Sequence, residues 1–251
     1  MTSAMIRLPA RFYRAYPVDE PLGHAEEVLD LDPARTVFLL IDVYGLGFDP
    51  SPSRADVPEL YRDQVAASRA IVLDHIVPAK RAATALGVPV VYLRNHLSDA
   101  LTPHSEWRNV AMRAHGIDVL KSWQEPNDIL SYSAVIAPQP GDHEVLKQFY
   151  SGFFQTGLEE LLHSLGARTL VTVGFDSRIC VASTVTEAMY RDFRVIAVRD
   201  AIGTAPATTG DALDTAASAA GAVRYIETNV GYTVTSAQWI AACAGALGPT
   251  S

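Results

Sequence analysis

Short apolar runs alternate with stretches of helical periodicity along most of this chain, and that alternation limits the fold more than any other feature. Residues 35–42 (RTVFLLID), 88–93 (VPVVYL), 169–173 (TLVTV) and 193–198 (FRVIAV) are too short for helices and too evenly apolar for strands with a wet face. Runs of this kind are strands buried on both sides. Residues 144–147 and 222–226 read as two shorter strands. Helical patterns fall between them, over 59–86 with Pro78 as a kink or restart and Gly87 as C-cap, over 157–165 closed by Gly166, and over about 179–191 and 209–219. A last helix is expected near Ser236, taken as its N-cap. Strands joined through helices require right-handed crossovers, so the expected fold is a three-layer α/β/α with a mainly parallel, doubly wound sheet.

A chain of 251 residues with 49% hydrophobic content fills one large core rather than two. We expect an N-terminal extension over 1–32 and one α/β domain over 33–251. That domain carries a long irregular insertion at about 94–132, a length of loop that is usually functional. The net charge is −8 and no basic run or stripe occurs, which argues against nucleic acid and against an anionic membrane surface. No apolar run reaches membrane-spanning length. Residues 1–30 are polar, with Arg7, Arg11 and Arg14, and lack an apolar signal core. Cys180 and Cys243 are too few for a disulfide framework, so the expected location is the cytoplasm.

Polar residues stand where three of the strands end. Asp42 closes 35–42, Lys147 closes 144–147, and Cys180 follows 169–173 after a break at Gly174, in the first turn of a helix. In a parallel sheet these ends share one edge, where open α/β sheets place their sites. A helix N-terminus supplies amide hydrogens and a positive dipole end, both of which favour a thiolate. A thiol hydrolase needs a base, a cation and donors for an oxyanion. Asp42 suits the first role, Lys147 the second, and the amides of Cys180 and of a residue just before it the third. Taken singly, a buried core cysteine, a capping aspartate and a solvated lysine are ordinary alternatives. Their conjunction at one sheet edge favours a site.

Three segments together resemble the isochorismatase-like cysteine hydrolase superfamily: 37–42 (VFLLID), 140–147 (PGDHEVLK) with 150–158 (YSGFFQTGL), and 174–181 (GFDSRICV). The resemblance covers roughly residues 33–240. It implies a catalytic triad of Asp42, Lys147 and Cys180, a non-proline cis peptide between Phe175 and Asp176, and an oxyanion hole formed by the Asp176 and Cys180 backbone N–H groups. Tyr150, in its Tyr-Ser-Gly-Phe-Phe setting after Lys147, and Asn95 are similar to the ureidoacrylate and N-carbamoyl amidohydrolase branch. That likeness implies cleavage of a C–N bond in a small amide or ureide through a thioester, with release of ammonia or an amine and without a cofactor. Asn95, Tyr150, Tyr44, Asp176 and Arg178 are the implied substrate contacts. Metal-binding members carry Asp-x-His where this chain reads Arg94, Asn95, His96 and Leu97, and His104 and His115 are a weak pair, so no metal is expected.

The chain departs from the superfamily pattern at two places. After the first strand members usually read Asp-Met-Gln or Asp-Val-Gln and then Asn-Asp-Phe, whereas residues 42–49 read Asp-Val-Tyr-Gly-Leu-Gly-Phe-Asp. Asp176, Ser177 and Arg178 replace a small residue, Thr, and Asp or Asn. Both changes bear on the substrate more than on the chemistry. Asp176 either faces the pocket, repelling carboxylates or binding an amide, or is held outward by Arg178. Two other functions stay in view. Vinyl-ether cleavage of the isochorismatase type wants several cations around a dianion, and only Arg94 and Arg178 offer themselves. A non-catalytic binding protein on the same fold sits badly with three filled triad positions. The 94–132 insertion is a candidate lid, the Phe153–Phe154 pair reads as core, and the small-residue final helix suits a subunit contact in the homodimer or homotetramer that the resemblance implies.

Overall fold

Eight strands form one sheet in the order β2-β1-β8-β7-β6-β3-β4-β5. They are β1 (Ile6–Arg14), β2 (Gly23–Leu31), β3 (Thr36–Ile41), β4 (Val90–Asn95), β5 (His143–Lys147), β6 (Thr169–Phe175), β7 (Arg194–Gly203) and β8 (Tyr232–Val234). The structure, a computed structural model, describes residues 4–16, 21–44, 67–96, 105–115, 130–204 and 212–248. The six strands from β3 to β8 run parallel to one another, and β1 pairs antiparallel with both β2 and β8. The described helices are α1 (Val77–Ala85, preceded by π-helical turns over Ile71–Ile76), α2 (Glu106–His115), α3 (Leu158–Ser164), α4 (Ala182–Tyr190), α5 (Ala212–Asn229) and α6 (Ser236–Leu247). Among the described residues no helix is long and apolar enough to cross a membrane.

All six residues of β3 are buried, which is why its sequence carries no polar alternation. Phe38 and Leu40 face one layer with α1 and α6, while Val37, Leu39 and Ile41 face the other with α3, α4 and the end of α5. Trp239 of α6 locks the first layer. Its ring stacks on Phe38 at 6.1 Å and its indole N–H donates to the Ala79 carbonyl at 3.1 Å. Leu158 and Leu162 of α3, Val185 and Ala188 of α4, and Ile226 of α5 fill the second.

Four expectations need correction. Residues 6–31 form a hairpin within the sheet, with Ile6, Leu8 and Ala10 buried at alternate positions. Pro9 is tolerated because β1 meets β8 only around Arg11. The anchor is Glu227, whose buried carboxylate takes Arg11 Nε at 2.7 Å, His24 Nε2 at 3.1 Å and the Thr233 hydroxyl. Second, residues 222–226 are helix rather than strand: Ala222, Ile226 and Val230 recur at four-residue spacing and are buried, so α5 runs through them. Third, the 94–132 insertion holds a helix, α2. Fourth, Thr235 caps α6 in a reciprocal pair with Gln238, and Ser236 is instead held by Asp200. Most of the loop expected after Asp42, the start of the 59–86 helix, and His104 lie outside the described residues.

Candidate active site

The parallel topology brings the C-terminal ends of β3, β4, β5 and β6 side by side, with Ile41 in register with Gly174 and Asn95 with Lys147. Asp42 leaves β3 with φ +52°, a left-handed conformation that Asp adopts more readily than most residues. Its amide still donates to the Leu93 carbonyl at 3.1 Å, which fixes the strand end. After β6 the Phe175–Asp176 peptide is cis and the chain turns into a π-helical turn, Ser177–Val181, that opens α4. Asp176 caps this turn. One oxygen of its side chain accepts from the Arg178 amide at 2.8 Å, and its carbonyl accepts from the Ile179 and Val181 amides at 3.1 and 3.0 Å. Cys180 lies in that first turn.

These elements gather Asp42, Lys147 and Cys180 into one buried cluster. Lys147 Nζ stands 2.8 Å from Asp42 Oδ2, donates to Asn95 Oδ1 at 2.6 Å and to the Phe149 carbonyl at 3.2 Å, and reaches Cys180 Sγ at 3.4 Å. The Lys147 side chain has no exposed surface, the Asp42 side chain 6%, and Cys180 as a residue 7%. The Tyr44 hydroxyl donates to Asp42 Oδ1 at 2.8 Å and accepts from the Asn95 amide at 2.8 Å. Of the five implied substrate contacts, Asn95 and Tyr44 therefore have polar atoms bound within the cluster itself. Asp176 also pairs with Arg178 Nε at 3.5 Å, and Arg178 reaches the Ser218 hydroxyl at 3.5 Å.

The electrostatics reverse one expectation. Burial, followed by the Asp42 charge, pushes the Cys180 thiol pKa far above its ordinary value, and the pull of Lys147 does not compensate. That direction favours a resting thiol over a thiolate made by a helix end. Burial also works against the Lys147 charge, but Asp42 and Cys180 outweigh it and raise the lysine pKa, so the ammonium persists. Iodoacetamide labelling of the Cys180 peptide should accordingly be slow at neutral pH and climb about tenfold per pH unit from 7 to 9. A rate that levels off by pH 8 would contradict a resting thiol.

An aromatic wall stands beside the cluster. Trp107 of α2 makes edge contacts with Phe149 at 5.9 Å and Tyr150 at 6.2 Å, and Phe149 meets Phe154 at 5.0 Å. Burial raises the Tyr150 pKa, with a further push from Cys180 and opposing pulls from the Trp107 hydrogen bond and Lys147. Trp107 went unnoticed in the sequence, although it is the one tryptophan within a short amphipathic pattern in the insertion. Phe153 is core, as expected, whereas Phe154 is 47% exposed. A separate groove between α4 and α5, lined by Arg178, Ala182, Thr186, Ala222 and Tyr225, includes none of the three clustered groups.

Residues 61–229 match the isochorismatase domain, a span that contains Lys147 and Cys180 and begins after Asp42. A ureidoacrylate amidohydrolase from Methylobacterium radiotolerans is 28% identical over 216 residues, covering 74% of this chain and 79% of that protein. A maleamate amidohydrolase from Pseudomonas putida is 36% identical over 85 residues, covering 34% of this chain and 40% of that protein. A solved cysteine hydrolase from Pseudomonas syringae superposes with a TM-score of 0.68 at 23% identity, over 94% of this chain and 98% of that one, a likeness of fold. The domain match spans well over half of the sequence and agrees with the sheet order and the crossover helices, and on that basis the chain belongs to the isochorismatase family of hydrolases.

Proposed function

We propose that this chain is a cysteine-dependent amidohydrolase that cleaves a C–N bond in a small amide or ureide through a thioester. One observation carries the reading: a buried thiol and a buried carboxylate meet at one buried ammonium, Lys147 Nζ lying 2.8 Å from Asp42 Oδ2 and 3.4 Å from Cys180 Sγ. Asp42 takes the thiol proton as sulfur attacks the carbonyl carbon, so the thiolate never accumulates. The oxyanion is received by the Asp176 and Cys180 amides. Collapse breaks the C–N bond, and Asp42 returns the proton to the departing nitrogen. Water, deprotonated by Asp42, then attacks the thioester, and the released sulfur recovers its proton. Lys147 stays charged and holds the base throughout.

The relatives named for ureidoacrylate and maleamate hydrolysis support the reaction class and suggest the substrates to try first. The cations beside the cluster are engaged, Arg94 with Glu144 at 3.0 Å and Arg178 with Asp176, which suits an amide or ureide better than a dianionic ether. The test is ammonia release from ureidoacrylate, maleamate, N-carbamoyl amino acids and nicotinamide, with the wild type and with Cys180→Ala. Turnover by the wild type on at least one of these, and a loss of about 10⁴-fold or more in Cys180→Ala, is the expected pattern. Retained turnover in that variant would rule out the covalent route. Silence of the wild type on all of them would remove the amidohydrolase reading.

A further inference from the structure

We infer that Tyr44 is a positioning residue that decides which oxygen of Asp42 acts as the base, an inference that rests on the proposed thiol mechanism. The Tyr44 hydroxyl has one hydrogen, and it is given to Asp42 Oδ1. One of its lone pairs is taken by the Asn95 amide. The Asn95 side chain in turn holds Lys147 through Oδ1, and Lys147 stands on Asp42 Oδ2. The four residues close a ring around the carboxylate, with β3, β4 and β5 each supplying a corner at its C-terminal end.

The ring has a chemical consequence. With Tyr44 on Oδ1, Oδ2 is left facing Lys147 Nζ, which stands 2.8 Å from it and 3.4 Å from Cys180 Sγ. Hydrogen bonding at Oδ1 also draws negative charge away from Oδ2. Burial, then the Asp42 charge, keeps the phenol protonated, so Tyr44 remains a donor at any working pH. Asn95 is tied in twice, by backbone and by side chain, so a shift of Tyr44 is passed to Lys147 as well as to Asp42. Glutamine at position 44 would supply both a donor and an acceptor. An amide could divide the two tasks of the hydroxyl, its NH₂ donating to Asp42 and its carbonyl accepting from the Asn95 N–H.

The test compares Tyr44→Phe and Tyr44→Gln with the wild type, first by iodoacetamide labelling of Cys180 at pH 8, which needs no substrate. Loss of the donor leaves more negative charge on the Asp42 carboxylate, which works against ionisation of the Cys180 thiol. Tyr44→Phe should therefore label about three- to tenfold more slowly, and Tyr44→Gln should return to within about twofold of the wild type. Labelling of Tyr44→Phe at the wild-type rate, or a Gln variant as slow as Phe, overturns the inference. On a substrate that the wild type turns over, Tyr44→Phe should lose about 10–100-fold in kcat with KM within about twofold. A change confined to KM would make Tyr44 a substrate contact and would also overturn it. If the wild type turns over none of the substrates, the proposed function fails while the labelling comparison still decides the role of Tyr44.

Discussion

Lys147→Met should lower stability by about 3–5 kcal/mol and abolish turnover, because it leaves Asp42 as a buried carboxylate with no countercharge. The cost is electrostatic rather than steric, since methionine keeps most of the stem volume. It should appear in chemical denaturation as a lower midpoint with an unchanged slope. The diagnostic result is the double variant Asp42→Asn with Lys147→Met. Removing both charges deletes the pair without stranding either partner, so the double variant should recover more than half of the loss while staying inactive. Additive losses in the two single variants would mean that the groups do not interact as the 2.8 Å contact requires. The pH dependence separates the singles. In the wild type the Lys147 pKa is raised on folding, so its contribution is complete below the ordinary lysine value and fades as pH rises through the raised one. In Asp42→Asn the counterion is gone and burial dominates. The folded pKa then drops, the unfolded chain binds more protons, and stability climbs with pH towards the lysine range.

The sheet core and the strand-end cluster were legible because each follows from local pattern plus topology. Residues 35–42 and 169–173 announce doubly buried strands by composition alone, and parallel pairing then obliges Asp42, Lys147 and Cys180 to share an edge. What escaped had a weaker local signal. The β1 strand alternates over its first half, but Pro9 and three arginines mask it, and its partner anchor Glu227 is 216 residues from Arg11. Residues 222–226 carry Val and Ile, so β propensity suggested a strand, but the buried spacing belongs to a helix begun at Ala212.

The state of the cysteine was misjudged for a different reason. A helix N-terminus near Cys180 is visible in sequence, and its dipole does favour a thiolate. Burial among Phe153, Val181 and Leu93, beside a carboxylate, acts in the opposite sense and is stronger, and neither is visible until the layers are packed. The same limit hid the tie between Tyr44, Asn95 and Lys147, because hydrogen bonds between residues 51 and 52 positions apart have no periodicity to reveal them.

Gly174→Ala should destabilise the chain by at least about 4 kcal/mol, enough to lower the melting temperature by roughly 8–16 °C or to prevent recovery of folded protein. A Cβ at position 174 would sit 1.9 Å from the Ile41 carbonyl oxygen and within 3 Å of two more Ile41 backbone atoms. None of these can move aside without parting β3 from β6. The residue also has φ +124°, a conformation that side chains disfavour even without the clash. The position explains why the approach is so close: Ile41 immediately precedes Asp42, and Gly174 immediately precedes the Phe175–Asp176 peptide and the turn that carries Cys180. Any spacer there would move the carboxylate away from the sulfur, so whatever Gly174→Ala protein folds should have lost turnover and shown altered Cys180 labelling. Gly221→Ala is the matched control. It lies inside α5 with open space around its missing Cβ, and it should gain about 0.5–1 kcal/mol from helix propensity while leaving the site untouched. If both variants melt within about 2 °C of the wild type, the close approach of β3 and β6 at Gly174 is not what holds Asp42 and Cys180 together.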